Sequence, residues 1–204
     1  MSRNRKQNKE RSKPGEFWAA KIGISAGLRV HSSNYSQSYR FNLQLHSHPP
    51  TGDAHSFPMK PLPHEYYMSI ALKEAIRALD EEEVPIGCII VAQNQIVGKG
   101  YNQVERLRDV TAHAEILAIT AASTHFQSKY LKGCTLYVTV EPCMMCATAI
   151  GWAQISQLVY GADDPKKGYT LFDPSPLHPK TRVERGIMDE ACRELMKEFF
   201  RRKR

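Results

Sequence analysis

Two short stretches constrain this chain more than any other part of it: "TAHAEILAI" at 111–119 and "VEPCMMCATAI" at 140–150. In the second, Cys143 and Cys146 stand three apart behind a proline and run straight into small, apolar residues. A Cys-x-x-Cys pair in a reducing compartment holds zinc or cycles between thiol and disulfide. Either role suits a helix N-terminus, where the positive end of the dipole favours thiolates. A redox pair, however, needs no distant histidine, and here His113 and Glu115 open a second helical run after a predicted strand pair. Two helix starts at adjacent strand ends can bring His113, Cys143 and Cys146 around one ion. Three protein ligands leave a fourth position for water, whereas a structural zinc site is closed by four.

Cys134 is too far away to close the set. It lies nine residues before Cys143, at the far end of the same predicted strand. A rise of about 3.3 Å per residue separates the two by well over roughly 20 Å of chain. Cys134, Cys88 and Cys192 therefore read as small buried hydrophobes. Glu115, two residues past His113, can face the same cavity without being a ligand and carry protons to and from water. The helix dipole alone would also favour a glutamate in the first turn. The company of the three ligands decides for catalysis. Glu141, beside Pro142, reads as structural, holding the turn that presents Cys143.

The remaining sequence supplies a frame for these stretches. Residues 64–80 carry apolar side chains at helical spacing, and "VPIGCIIVAQNQIVGKGYN" reads as two strands joined by a tight turn near Gln93 and Asn94. "TAHAEILAITAAS" reads as a helix with Thr111 as its N-cap. A buried strand "GCTLYVTV", a core helix "CMMCATAIGWA", a strand "QLVYGAD" and an amphipathic closing helix over 187–200 complete the series. The order α-β-β-α-β-α-β, then a loop and a helix, argues for a three-layer α/β/α sandwich. Residues 63–204 form that domain. Residues 1–62 lack periodicity and are rich in Ser, Asn, His, Pro and basic residues, a composition that favours a disordered, dispensable extension. Ten Lys/Arg against three Asp/Glu fall before residue 64, and eighteen of each after it, so the net +7 belongs mainly to the extension. Within the balanced part, "DEEE" at 80–83 is acidic, while Lys166, Lys167 and the terminal "RRKR" are basic; such runs read either as solvated surface or as phosphate contacts. An odd cysteine count of five and the lack of a signal peptide point to a reducing cytoplasm, and no apolar run is long enough to cross a bilayer.

His-x-Glu followed by Pro-Cys-x-x-Cys is the signature of zinc-dependent nucleobase deaminases. Beyond it, "HEYYM", "EVPIGCIIV", "GKGYN", "TAHAEILAI", "CTLYVTVEPCMMCA", "VYGADD", "LHPKT" and "EFFRRKR" resemble bacterial tRNA-specific adenosine deaminases. The resemblance covers roughly 64–204. It implies the cytidine-deaminase-like fold with a mixed central sheet, a homodimer, and hydrolytic conversion of the wobble adenosine (position 34) of a tRNA anticodon stem-loop to inosine, with arginine tRNA as the substrate. It also implies one zinc ion per subunit on His113, Cys143 and Cys146, zinc-bound hydroxide attacking C6, and Glu115 as proton shuttle. Asn102 would contact the flipped nucleotide, and Asp164 and Lys166 would face the anticodon loop. Phe199 and Phe200 are expected to pack the closing helix down rather than stack on bases. Two rivals remain. A deaminase of free guanine, cytosine or their nucleosides uses the same metal apparatus, and a zinc module could bind nucleic acid without catalysis; Glu115 and the missing fourth ligand speak against the latter.

Overall fold

The computed structural model describes residues 62–204. The extension expected over 1–62 lies, apart from Leu62, outside the described residues. The described part begins with helix α1 (His64–Asp80), whose buried residues Tyr67, Met68, Ala71, Leu72, Ala75, Ile76 and Leu79 recur at the spacing that lines one face of a helix. Strands β1 (Gly87–Ala92) and β2 (Gln95–Tyr101) form an antiparallel hairpin. Its turn residues Gln93 and Asn94 both take positive φ, 48° and 62°, the backbone of the two-residue turns that match strand twist.

Helix α2 (Val104–Leu107) is a single short turn leading to helix α3 (Ala114–Phe126). Strand β3 (Thr135–Val140), helix α4 (Met144–Trp152), strand β4 (Gln157–Ala162), a short 3-10 turn at Tyr169–Leu171, strand β5 (Arg182–Arg185) and helix α5 (Asp189–Arg202) follow. The strands form one sheet in the order β2-β1-β3-β4-β5. β3 pairs antiparallel to β1 but parallel to β4, and β4 is parallel to β5. The sheet is mixed, as expected.

The side-chain period of two divides the core between the two faces. Ile89, Val91, Tyr137 and Val159 pack with α1 and α5, while Cys88, Ile90, Leu136, Val138, Leu158 and Tyr160 pack with α3 and α4. This is the three-layer sandwich. Helix α3 sits unusually close to β2, because a Cβ at Gly98 or Gly100 would collide with the carbonyls of Ala118 and Ala114. That approach fixes the start of α3, where the site is built. Gly100→Ala is expected to cost about 1–3 kcal/mol through overpacking, read as a lowered Tm in a thermal melt. An unchanged Tm would mean that α3 can retreat from the sheet.

Three expectations need correction. Thr111 does not cap α3: its amide and hydroxyl both donate to Asp109 Oδ1, at 2.8 and 2.7 Å, and the N-cap position falls on His113. The helix starts later because His113 keeps an extended backbone (φ −73°, ψ 153°). Strand β5 was not anticipated. Its residues "RVER" are mostly exposed on the sheet edge, and they join the sheet by backbone pairing with β4. Lastly, Phe199 is buried as expected, but Phe200 is half-exposed and meets Phe199 edge-on with ring centroids 5.3 Å apart.

Candidate active site

The C-terminal end of β3 and the neighbouring start of α3 meet at the expected constellation. His113 and Cys143 are the N-cap residues of α3 and α4, and both have extended backbones that turn their side chains toward each other. Cys146 lies in the first turn of α4, fully buried. His113 Nδ1 is 3.6 Å from Cys143 Sγ and 3.4 Å from Cys146 Sγ. All three ligand atoms lie within 4.8 Å of one another. The fit to zinc can be checked: tetrahedral bonds of about 2.0 Å to nitrogen and about 2.3 Å to sulfur separate those atoms by about 3.6 Å. Two soft thiolates and an imidazole are also the donors that zinc takes. Among the described residues this is the group of three His, Cys, Asp or Glu that could hold a metal ion, and Cys134 does not belong to it.

The electrostatics of the trio are those of a cation site. Cys143 is lowered to about 4, first by the hydrogen bond from Cys146, with His113 adding to the effect against the cost of burial. Cys146 is pushed up by the same shared hydrogen bond and by burial. His113 is raised, chiefly by its hydrogen bond to Cys143.

Glu115 stands beside this group, 3% exposed. Burial first, then the nearby Cys143 charge, pushes its carboxyl up to about 7, while His113 and Cys146 pull against that rise. Cys88 is its apolar neighbour: burial and the Glu115 charge raise that thiol well above its ordinary range. A carboxyl so placed exchanges protons near neutrality.

Glu141 braces the turn that presents Cys143, as its position beside Pro142 suggests. Its buried carboxylate accepts the Asp164 amide at 2.9 Å, the Thr170 amide at 3.0 Å and the Thr170 hydroxyl at 2.7 Å. The loop after β4 is thereby tied to the turn that presents Cys143, and Cys143 itself bridges to Gly168. Asp164 lies in that loop, where its Oδ1 accepts the amides of Lys166 and Lys167 at 2.9 and 3.1 Å. Lys166 is exposed. Lys167, read from the sequence only as part of a basic run, lies close enough for its charge to oppose protonation of His113. Asn102 is buried at the end of β2, and the next residue, Gln103, donates its amide to Ala112, just before His113. The acidic run at 80–83 is not wholly solvated either, since Glu83 is 1% exposed and hydrogen-bonded to Asn102. In the basic tail, Arg201 and Arg202 both pair with Glu198.

Residues 62–162 match the cytidine and deoxycytidylate deaminase zinc-binding region. Sheet, trio and match together define the class: zinc-dependent deaminases. The tRNA-specific adenosine deaminase of Aquifex aeolicus is 43% identical over 145 residues, 69% of this chain and 95% of that protein. Its counterpart from Agrobacterium fabrum is 40% identical over 144 residues, 68% of this chain and 95% of its own length. A solved structure from work on A-to-I editing by tRNA deaminases at the wobble position of transfer RNA gives a TM-score of 0.61 at 39% identity, covering 64% of this chain and 98% of that one. A guanine deaminase from Nitrosomonas europaea, 22% identical with a TM-score of 0.58, covers 78% of this chain and 98% of its own and shares the fold. The chain belongs to the family of tRNA-specific adenosine deaminases.

Proposed function

We propose that this protein hydrolyses the wobble adenosine (position 34) of a tRNA anticodon loop to inosine, with arginine tRNA as its substrate. The observation that carries the reading is the coincidence of the Nδ1-Sγ-Sγ trio with a buried carboxyl pushed up to about 7, in a chain 40–43% identical to proteins of that name. His113, Cys143 and Cys146 would hold zinc, which supplies the acidity that brings the pKa of a water molecule to about 7. Glu115 takes the water's first proton and hands it to N1 of the adenine ring as the oxygen joins C6. It then takes the second proton from that oxygen and delivers it to the 6-amino group. The C–N bond breaks, ammonia leaves, and N1 keeps its proton, which is the hydrogen count of inosine. An anticodon loop suits such a pocket because its bases are splayed out at little unpairing cost. Lys166 and Lys167 are exposed on the loop that Glu141 ties beside Cys143, and their charges would meet phosphate there. Asp164 acts by shaping that loop.

We further propose a homodimer acting in the cytoplasm. The outer faces of α3 and α4 are apolar: Ile116, Leu117, Ile119, Met144 and Met145 are only partly covered, and Trp152 is 79% exposed. A helix apolar all round requires cover, and a second copy supplies it. Trp152→Glu should convert the dimer to monomer in light scattering at unchanged zinc content. A dimer that survives this change places the interface elsewhere. No helix of the described residues is long and apolar enough to cross a membrane.

The activity is tested with an arginine-tRNA anticodon stem-loop, scoring inosine and ammonia. The stem-loop should be converted while free adenosine, cytosine and guanine are left intact. Turnover of guanine with an inert stem-loop would instead make this a free-base deaminase.

A further inference from the structure

Helix α1 ends in a geometry that turns an acidic residue inward. Glu82 takes the left-handed conformation (φ 61°), the Glu82 amide donates to the Leu79 carbonyl, and the Glu83 amide reaches back to Ala78. This pair of backbone bonds closes a Schellman motif. It turns the next side chain, Glu83, toward α2 and Asn102 rather than into solvent. At 1% exposure, the Glu83 carboxylate has three donors around it. Its Oε1 accepts the Arg106 amide at 2.8 Å, and its Oε2 accepts the Glu105 amide at 3.3 Å and the Asn102 side-chain amide at 3.1 Å. The first two are the open N–H groups of α2, whose own N-cap residue, Gln103, offers no side-chain bond. One buried carboxylate therefore fastens α2 and Asn102 together.

The effect on Asn102 is directional. A carboxylate only accepts, so it holds the amide by its nitrogen and excludes the flipped rotamer. The Asn102 side chain is 5% exposed, and among the described residues nothing donates to its Oδ1. A buried acceptor without a partner calls for a ligand. We infer that Glu83 is a positioning residue of the nucleotide site: it locks the Asn102 amide with its carbonyl oxygen and second N–H presented to the target nucleotide. The inference rests on the reading of Asn102 as a nucleotide contact. It assigns to Glu83 a place in binding rather than in chemistry.

The test is a double-mutant cycle on the zinc-loaded enzyme with the anticodon stem-loop. Glu83→Gln and Asn102→Ala should each raise KM about tenfold with much smaller changes in kcat. Combined, they should raise it no further than either alone, because contacts acting as one unit are not additive. A KM near the parental value for Glu83→Gln, or a double variant with multiplied effects, would overturn the inference and leave Glu83 as a loop anchor. A second measurement does not depend on turnover. Exchange of the Asn102 side-chain amide hydrogens, followed by NMR, should quicken at least tenfold in Glu83→Gln, and unchanged exchange would refute the lock. If the parental enzyme leaves the stem-loop unconverted while this exchange effect is present, the proposed substrate fails and the lock stands.

Discussion

Exchanging Glu115 for glutamine should lower kcat on the anticodon stem-loop by about 10²–10⁴-fold, the range that a general acid-base residue supplies, while leaving one zinc per chain. Glutamine keeps the shape and the hydrogen-bonding reach of the side chain but cannot give up or gain a proton. On the proposed mechanism the same residue serves twice, first for N1 and then for the leaving amine, so no single rescue from solvent replaces it. Burial supplies the energetic reason, because it pushes the carboxyl up to about 7, and a general acid-base group works best with its pKa near the operating pH. Glu115 is not one of the three ligands, so metal analysis should show no loss. The thermal melt should move little, because the change removes a charge from a buried place without opening a cavity. Measured together, initial rate and zinc content separate this role from a structural one. A variant working within about tenfold of the parental rate would return the residue to the role of a first-turn glutamate favoured by the helix dipole.

The sequence disclosed the candidate metal ligands better than the residues that support them, and the reason is physical. Metal ligands must be particular residue types at spacings imposed by helix starts, so His113, Cys143 and Cys146 announce themselves, and strand length alone disposes of Cys134. Supporting residues are bound by no such rule. Glu83 hides in a run of four acids, where charge argues for solvent, and only the left-handed turn at Glu82 buries it. A helix break followed directly by "VPIG" was the available signal, since a chain entering a buried strand from a tight turn has little room for a solvated side chain. Strand β5 carries no hydrophobic alternation to betray it, as its one apolar residue, Val183, is exposed. Thr111 looked like a cap because its residue type is right, but Asp109 claims its hydroxyl first. Lys167, rather than its neighbour Lys166, reaches His113 electrostatically, and a one-residue distinction in a loop is below what composition can resolve.

Removing the metal should silence the enzyme without unfolding it. After dialysis against a strong chelator, deamination should fall to background and return on adding zinc, while the far-UV circular dichroism stays the same. Cys143→Ala should reach the same state irreversibly, with bound zinc below about a tenth per chain. In small zinc modules the metal is the core, and its loss is unfolding. Here the apolar clusters on the two faces of the sheet are built from strand and helix side chains that make no use of the ion. The helix starts are also held by other means: α3 by its close contact at Gly100, and the turn before α4 by the Glu141 bonds to Asp164 and Thr170. Within the site, Cys143 Sγ keeps His113 Nδ1 as a partner at 3.6 Å when the ion departs. What is lost is binding energy, about 4 kcal/mol at free zinc a thousandfold above Kd, or roughly 10 °C of Tm for a domain of this size. A collapse of the dichroism on chelation would mean that the ion is structural. Undiminished deamination by the stripped protein would remove the metal from the reaction altogether.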